Sequence, residues 1–223
     1  MSDELTAPPQ IAREVFTGDA WDRAQEFARL LAGPGVVRGL LGPREVPRIW
    51  DRHLLNCAVV AEAIPENVRL VDIGSGAGLP GLVLAIVRPD LTVTLLEPLL
   101  RRTVFLEECV AALKLDNVEV LRGRAEDLAG KREFDVASAR AVAPLDRLLK
   151  WSMPLLREGG QLIAMKGERA AEELAEADAQ LRACGAQTAE LISVGHGKVE
   201  PPATLVRVVA GRAPASGRRR RKR

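Results

Sequence analysis

From Val68 onward the apolar positions alternate between two periods. Short, nearly continuous apolar runs occur at Val68–Ile73, Thr92–Leu96, Val118–Leu121, Phe134–Ala139 and Gln161–Met165, the last opened by Gly159-Gly160. Helix-like stretches lie between and after them. Leu82–Val87 is ended by Pro89, Leu99–Leu113 places Val104, Phe105, Val110 and Leu113 on an apolar face, and Leu145–Leu156 follows the fourth run. Arg169–Arg182 is rich in Ala and Glu and is closed by Gly185. Strands buried on both faces read as continuous apolar runs, so the alternation predicts a mainly parallel sheet with helices on either side. The last two runs, Thr188–Val194 and Thr204–Val209, are separated only by GHGKVEPPA. So short a connection predicts an antiparallel hairpin at the sheet edge.

The first third of the chain carries a different pattern. Trp21, Ala24, Phe27, Ala28 and Leu31 repeat at helical spacing, and Gly33-Pro34-Gly35 is expected to end that helix. A second apolar helix is expected over Leu54–Ala63, closed by Pro65. The resulting division is a flexible leader (1–18), a helical segment (19–66), a sheet domain (67–211) and a basic, disordered tail (212–223).

Composition narrows the class. The chain has 223 residues, 47% hydrophobic and 28% charged, which suits one core in a soluble protein. No apolar run approaches the ~20 residues of a membrane span. The opening MSDELTAPPQ lacks the basic and apolar segments of a signal peptide, so the expected location is cytoplasmic, away from membranes. Cys57, Cys109 and Cys184 form no CxxC pair and read as free thiols, with no metal site. Net charge is +2, yet the six residues from Arg218 to Arg223 are all basic. Without them 26 bases face 30 acids, so an acidic body carries a tail suited either to solubility or to a polyanion such as RNA.

Candidate chemistry centres on VDIGSGAGLPG, Val71 to Gly81. Gly74, Gly76 and Gly78 follow the first strand directly, and a helix is expected from near Leu79-Pro80. Glycines there permit positive φ and bring backbone amides close to a ligand. A purely structural turn has the same signature. Asp72 ahead of the glycines, and Glu97 at the end of the second strand, point instead to a nucleoside whose ribose hydroxyls an acid accepts. The GxGxG spacing favours S-adenosylmethionine (SAM) over NAD. RGRAEDL, Arg122 to Leu128, follows the third strand, where Glu126 or Asp127 is placed to accept from an adenine amino group. Arg101 and Arg102 belong to a solvated face or reach RNA phosphates.

Taken together these stretches resemble one family, the bacterial small-subunit ribosomal RNA guanine-N7 methyltransferases (RsmG or GidB). The resemblance rests on RHLLNC (Arg52–Cys57), VDIGSGAGLPG, the run Ile86 to Leu106, RGRAEDL, SARAVAPL (Ser138–Leu145) and MKG (Met165–Gly167). It covers roughly residues 20 to 210. It implies a class I SAM-dependent methyltransferase fold and methylation of guanine N7 in 16S ribosomal RNA. It places SAM-loop contacts on Gly74 and Leu79, an adenine-contacting pair on Ala125 and Glu126, and a further site residue on Arg140. Glu97, Asn56 and Cys57 stand where the family pattern has Asp, Asp and Ser, and the basic tail lies outside that pattern.

The implied reaction asks little acid–base chemistry of the protein. Guanine N7 carries an in-plane lone pair at neutral pH, so no general base is required. N7 and O6 are both acceptors, so a cation is expected to donate to O6. Arg140 is the first candidate and Lys166 the second. His53 reads as a structural histidine, and His196 as part of a hairpin tip. With four Phe, three Trp and no Tyr, base-stacking platforms are not expected. Trp21, Trp50 and Trp151 read as core. The expected partner is 16S ribosomal RNA or the small subunit, approached as a monomer. The alternatives are a SAM-dependent enzyme for another RNA or a small molecule, an NAD-dependent oxidoreductase, or a non-catalytic RNA-binding protein.

Overall fold

The computed structural model describes residues 4–211. Seven strands form one sheet: β1 (Arg69–Ile73), β2 (Thr92–Glu97), β3 (Val118–Arg122), β4 (Phe134–Arg140), β5 (Leu156–Lys166), β6 (Ala186–Val194) and β7 (Ala203–Ala210). Their order is β3-β2-β1-β4-β5-β7-β6. The first five are parallel, and β7 runs antiparallel to both β5 and β6. The expected terminal hairpin is therefore present, with β7 inserted between β5 and the edge strand β6.

The helices are α1 (Ala12–Val15), α2 (Asp19–Leu30), α3 (Asn56–Ala58), α4 (Gly81–Val87), α5 (Leu100–Leu113), α6 (Ala125–Leu128), α7 (Leu145–Ser152), α8 (Ala170–Glu176) and α9 (Asp178–Ala183). Side chains alternate across each strand, and the core divides accordingly. Leu70, Val93, Leu95 and Val136 face the layer of α4, α5 and the N-terminal helices. Val71, Ile73, Leu96 and Ala137 face the layer of α6 and α7.

Helix α4 explains the N-terminal segment. Leu82 through Ile86 are all buried, a pattern that one sheet face cannot satisfy. The second face of α4 is covered by α2 and α3, so the helical segment shares the domain's core. Part of the expected flexible leader joins it as well. Ala12 and Phe16 are fully buried, and Phe16 packs edge-on to Trp50 at 6.3 Å. The basic tail from 212 lies outside the described residues.

Three elements depart from the sequence pattern. Gly33-Pro34-Gly35 does not end the first helix, because a π-turn over Leu31–Gly35 carries the chain past Pro34. The stop comes at Gly39, whose φ of +68° turns the chain while Leu40 N–H bonds the Gly35 carbonyl at 2.8 Å. The second helix is longer than expected and irregular. It runs from Pro43 to Ala63 through 3₁₀, π, α and 3₁₀ turns. The expected single helix over 169–182 is broken in two at Ala177.

Candidate active site

The strand order reverses between β1 and β4, where β1 turns into the glycine loop and β4 ends at Arg140. Ligand crevices in open α/β sheets form at such a point. Two cavities open there. The first, about 560 Å³, is lined by Gly74, Gly76, Leu79, Glu97, Ala125, Glu126 and Arg140, together with Arg102, Val142 and Trp151. Of the residues expected to hold a cofactor, seven line this one cavity.

Asp72 and Gly78 do not line it, and each serves the loop from behind. Asp72 shares its strand face with Leu70, so its carboxylate points into the α4 layer and is fully buried. It accepts from Ser138 Oγ at 2.8 Å and from Gly81 N–H at 3.2 Å, joining β1, β4 and the start of α4. Burial pushes its pKa up from 3.8 to about 6, against the Ser138 and Gly81 bonds, which lower it. Gly81 is required here because a Cβ would overlap Leu95 and Asp72. Gly78 sits at φ +92°, where a side chain would overlap Leu82. The helix begins at Gly81, one residue past the proline of the Leu79–Pro80 cis peptide.

Glu97 is the polar anchor of the cavity. Its carboxylate accepts from Gly76 N–H and from Leu99 N–H, both at 3.0 Å, and lies 3.5 Å from Arg102 Nη1. These two amide bonds occupy part of the acceptor capacity of its two oxygens, leaving room for hydroxyl donors. Arg102 Nε is buried with no partner among the described residues. A buried donor left bare calls for an acceptor. This donor, an acid with acceptor sites to spare and a glycine loop together fit a polar nucleoside carrying a carboxylate.

The second cavity, about 780 Å³, shares Arg140, Ala141 and Val142 with the first. Ala141 sits at φ +53°, a left-handed conformation uncommon for a residue with a side chain. Val142 packs under Gly74, where an added Cβ would come within 3.0 Å of it. The remaining wall includes Glu45, Arg52, His53, Asn56, Lys166 and Arg169. Asn56 Oδ1 is buried there without a hydrogen-bond partner among the described residues.

Arg140 and Lys166, the two cations expected to act on the base, are placed differently. Arg140 borders both cavities. Its Nη2 lies 2.9 Å from His53 Nδ1, and its Nη1 donates to the Arg52 carbonyl at 3.4 Å and to Cys57 Sγ at 3.6 Å. Lys166 Nζ is committed to Glu173 at 2.7 Å and to the Ala143 carbonyl at 3.0 Å. Glu173 also accepts from Leu145 N–H at 3.0 Å. Lys166 therefore fastens the 141–145 stretch to α8 with two of its three N–H donors.

His53 is buried, and its Nε2 lies 2.9 Å from Glu45 Oε2. Burial pushes its pKa down from 6.5 to about 4, with Arg140 adding to the effect and Glu45 opposing it. Burial likewise pushes the Cys57 thiol up to about 11, so it stays protonated. No group of metal-ligating side chains occurs among the described residues. No helix among them is long and apolar enough to cross a membrane. Trp50 is buried, as expected of core, whereas Trp151 lines the first cavity. Arg102, Trp151 and Glu45 are site residues that the motifs did not reveal. Only Arg102 had a signal, its place just after Glu97 at the start of α5.

Comparison with known proteins agrees with this geometry. Residues 21–200 match the family model described as rRNA small subunit methyltransferase G (GidB). Proteins named ribosomal RNA small subunit methyltransferase G from Thermobifida fusca and Streptomyces coelicolor are 58% and 56% identical. Each alignment covers 96% of this chain and 90% of the relative. Among solved structures, a putative S-adenosyl-L-methionine-dependent methyltransferase from Methanococcus maripaludis has a TM-score of 0.58 at 14% identity, over 86% of this chain and 94% of that one. A precorrin-6y C5,15-methyltransferase from Geobacter metallireducens has a TM-score of 0.53 at 15% identity, over 78% and 91%. These two share the fold. With the family model spanning most of the sheet domain and the helical segment, the chain belongs to the rRNA small subunit methyltransferase G family.

Proposed function

We propose that the protein transfers a methyl group from SAM to N7 of a guanine in small-subunit ribosomal RNA, in the cytoplasm. The observation that carries this reading is the shared wall, Arg140–Val142, between a nucleoside-sized cavity and a second, wider one. A methyl donor in the first and an acceptor base in the second meet across these residues. SAM supplies a sulfonium methyl, which an unprotonated lone pair such as guanine N7 accepts without a general base.

The chain's own residues then hold and orient. Gly74 and Leu79 bring the loop backbone against the donor. Glu97 accepts from ribose hydroxyls with the lone pairs its amide bonds leave. Ala125 and Glu126, at the start of α6, face the adenine end. Arg140 Nε–H and the second Nη2–H make no bond to the described residues and are available to a guanine O6 or a carboxylate. Enzymatic gain in such a site comes from placement, which is worth several kcal/mol when the reactants are held at near-attack distance.

The test is transfer of labelled methyl from SAM to small-subunit RNA. The expected product is N7-methylguanine in that RNA. Labelling of another atom, or of a small molecule only, would replace this reading.

A further inference from the structure

Among the described residues, the Arg140 side chain is held from the N-terminal helical segment alone, by Arg52, His53 and Cys57. A guanidinium only donates, so the 2.9 Å contact requires a bare lone pair on His53 Nδ1. The proton of the neutral ring must then sit on Nε2, which faces Glu45 Oε2 at 2.9 Å. Glu45 is flanked by two guanidinium groups, with Arg52 Nε 3.5 Å from Oε2 and Arg48 Nη1 3.7 Å from Oε1. His53 is 5% exposed and belongs to a π-turn, so its ring has little freedom to flip.

We infer that Glu45 and His53 form a positioning relay. Glu45 sets the Nε2–H tautomer, and the bare Nδ1 aims the Arg140 guanidinium at the wall between the two cavities. The inference rests on the reading of Arg140 as the residue between donor and acceptor base. His53 touches neither donor nor base in this role. The other tautomer would set an N–H against the guanidinium, and a ring flip would set the Cδ2–H there, so in either case Arg140 loses the acceptor that aims it. The helical segment thereby completes the site: it covers α4 with one face and sets the angle of Arg140 with another.

Two readouts test the relay. The chain has two histidines, so loss of one ¹⁵N imidazole pair in His53→Asn assigns the His53 signals in the full-length protein. At pH 7 the wild type should show a protonated Nε2 and a bare Nδ1. A protonated Nδ1 would overturn the relay without any variant having to fold. The second readout is steady-state methyl transfer by His53→Asn and His53→Gln, with melting curves for both. The shorter amide puts an acceptor where Nδ1 stands, whereas the longer one reaches toward Glu45 and takes that acceptor away. His53→Asn should stay within about threefold of wild type, while His53→Gln loses about tenfold or more in kcat at unchanged KM for RNA, since a misplaced group costs up to ~100-fold. Equal activities in the two variants would overturn the relay. Arg140→Ala separates the two claims. Full activity there defeats the reading of Arg140, whereas its loss alongside equal His53 variants defeats only the relay.

Discussion

At the scale of single residues, position on a strand face decides role more than residue type does. Asp72 is an acid beside a glycine loop, and the motif places it among the ligand contacts. Its parity with Leu70 turns it inward instead, where it ties Ser138 to Gly81. Its raised pKa has a thermodynamic consequence. Between 3.8 and about 6 the folded state binds more protons than the unfolded state, so stability falls as pH rises through that window. Asp72→Asn keeps the shape without the charge. Its stability relative to wild type should climb from pH 4 to pH 6 and level off above, as read by denaturant unfolding. A flat difference would mean that the carboxylate is not desolvated. The same parity was legible in the alternation Leu70-Val71-Asp72-Ile73. The Glu45–His53 contact was not legible, because an irregular run of 3₁₀ and π turns gives their spacing no period.

At the scale of elements, the Arg140–Val142 wall of the first cavity depends on its fastening to α8. Lys166 and Glu173 are both largely buried, and between them they bond the Ala143 carbonyl and the Leu145 N–H. Lys166→Met should cost about 1–3 kcal/mol of stability, the usual result of stranding one buried polar partner. It should also weaken SAM binding in calorimetry through the loosened Ala141–Val142 wall. Stability loss with SAM affinity intact would place the fastening elsewhere. The strands were legible because continuous apolar runs admit one arrangement, a sheet covered on both sides. The end of the first helix is not legible in the sequence, because Gly-Pro-Gly is a stop signal in an α-helix, whereas the π-turn at Leu31–Gly35 accommodates it.

At the scale of the whole molecule, charge is divided between an acidic body and a basic tail. Residues 218–223 are all Lys or Arg. If they meet RNA, removing them should weaken RNA binding and flatten its salt dependence, by about 0.7 to 0.9 in log–log slope for each phosphate no longer neutralised. SAM affinity should not change. An unchanged salt slope would assign the tail to solubility. The molecule's central feature remains the glycine loop at the reversal of strand order, facing, across the first cavity, the Arg140–Val142 wall that the second cavity shares. The most direct test is to map the methylated atom in small-subunit RNA after reaction with SAM, for the wild type and for Arg140→Ala. N7-methylguanine at a defined position is expected with the wild type, and none with the variant, though the variant still folds. N7-methylguanine formed equally by both would remove Arg140 from the reaction, and a methyl group on any other atom would overturn the reaction itself.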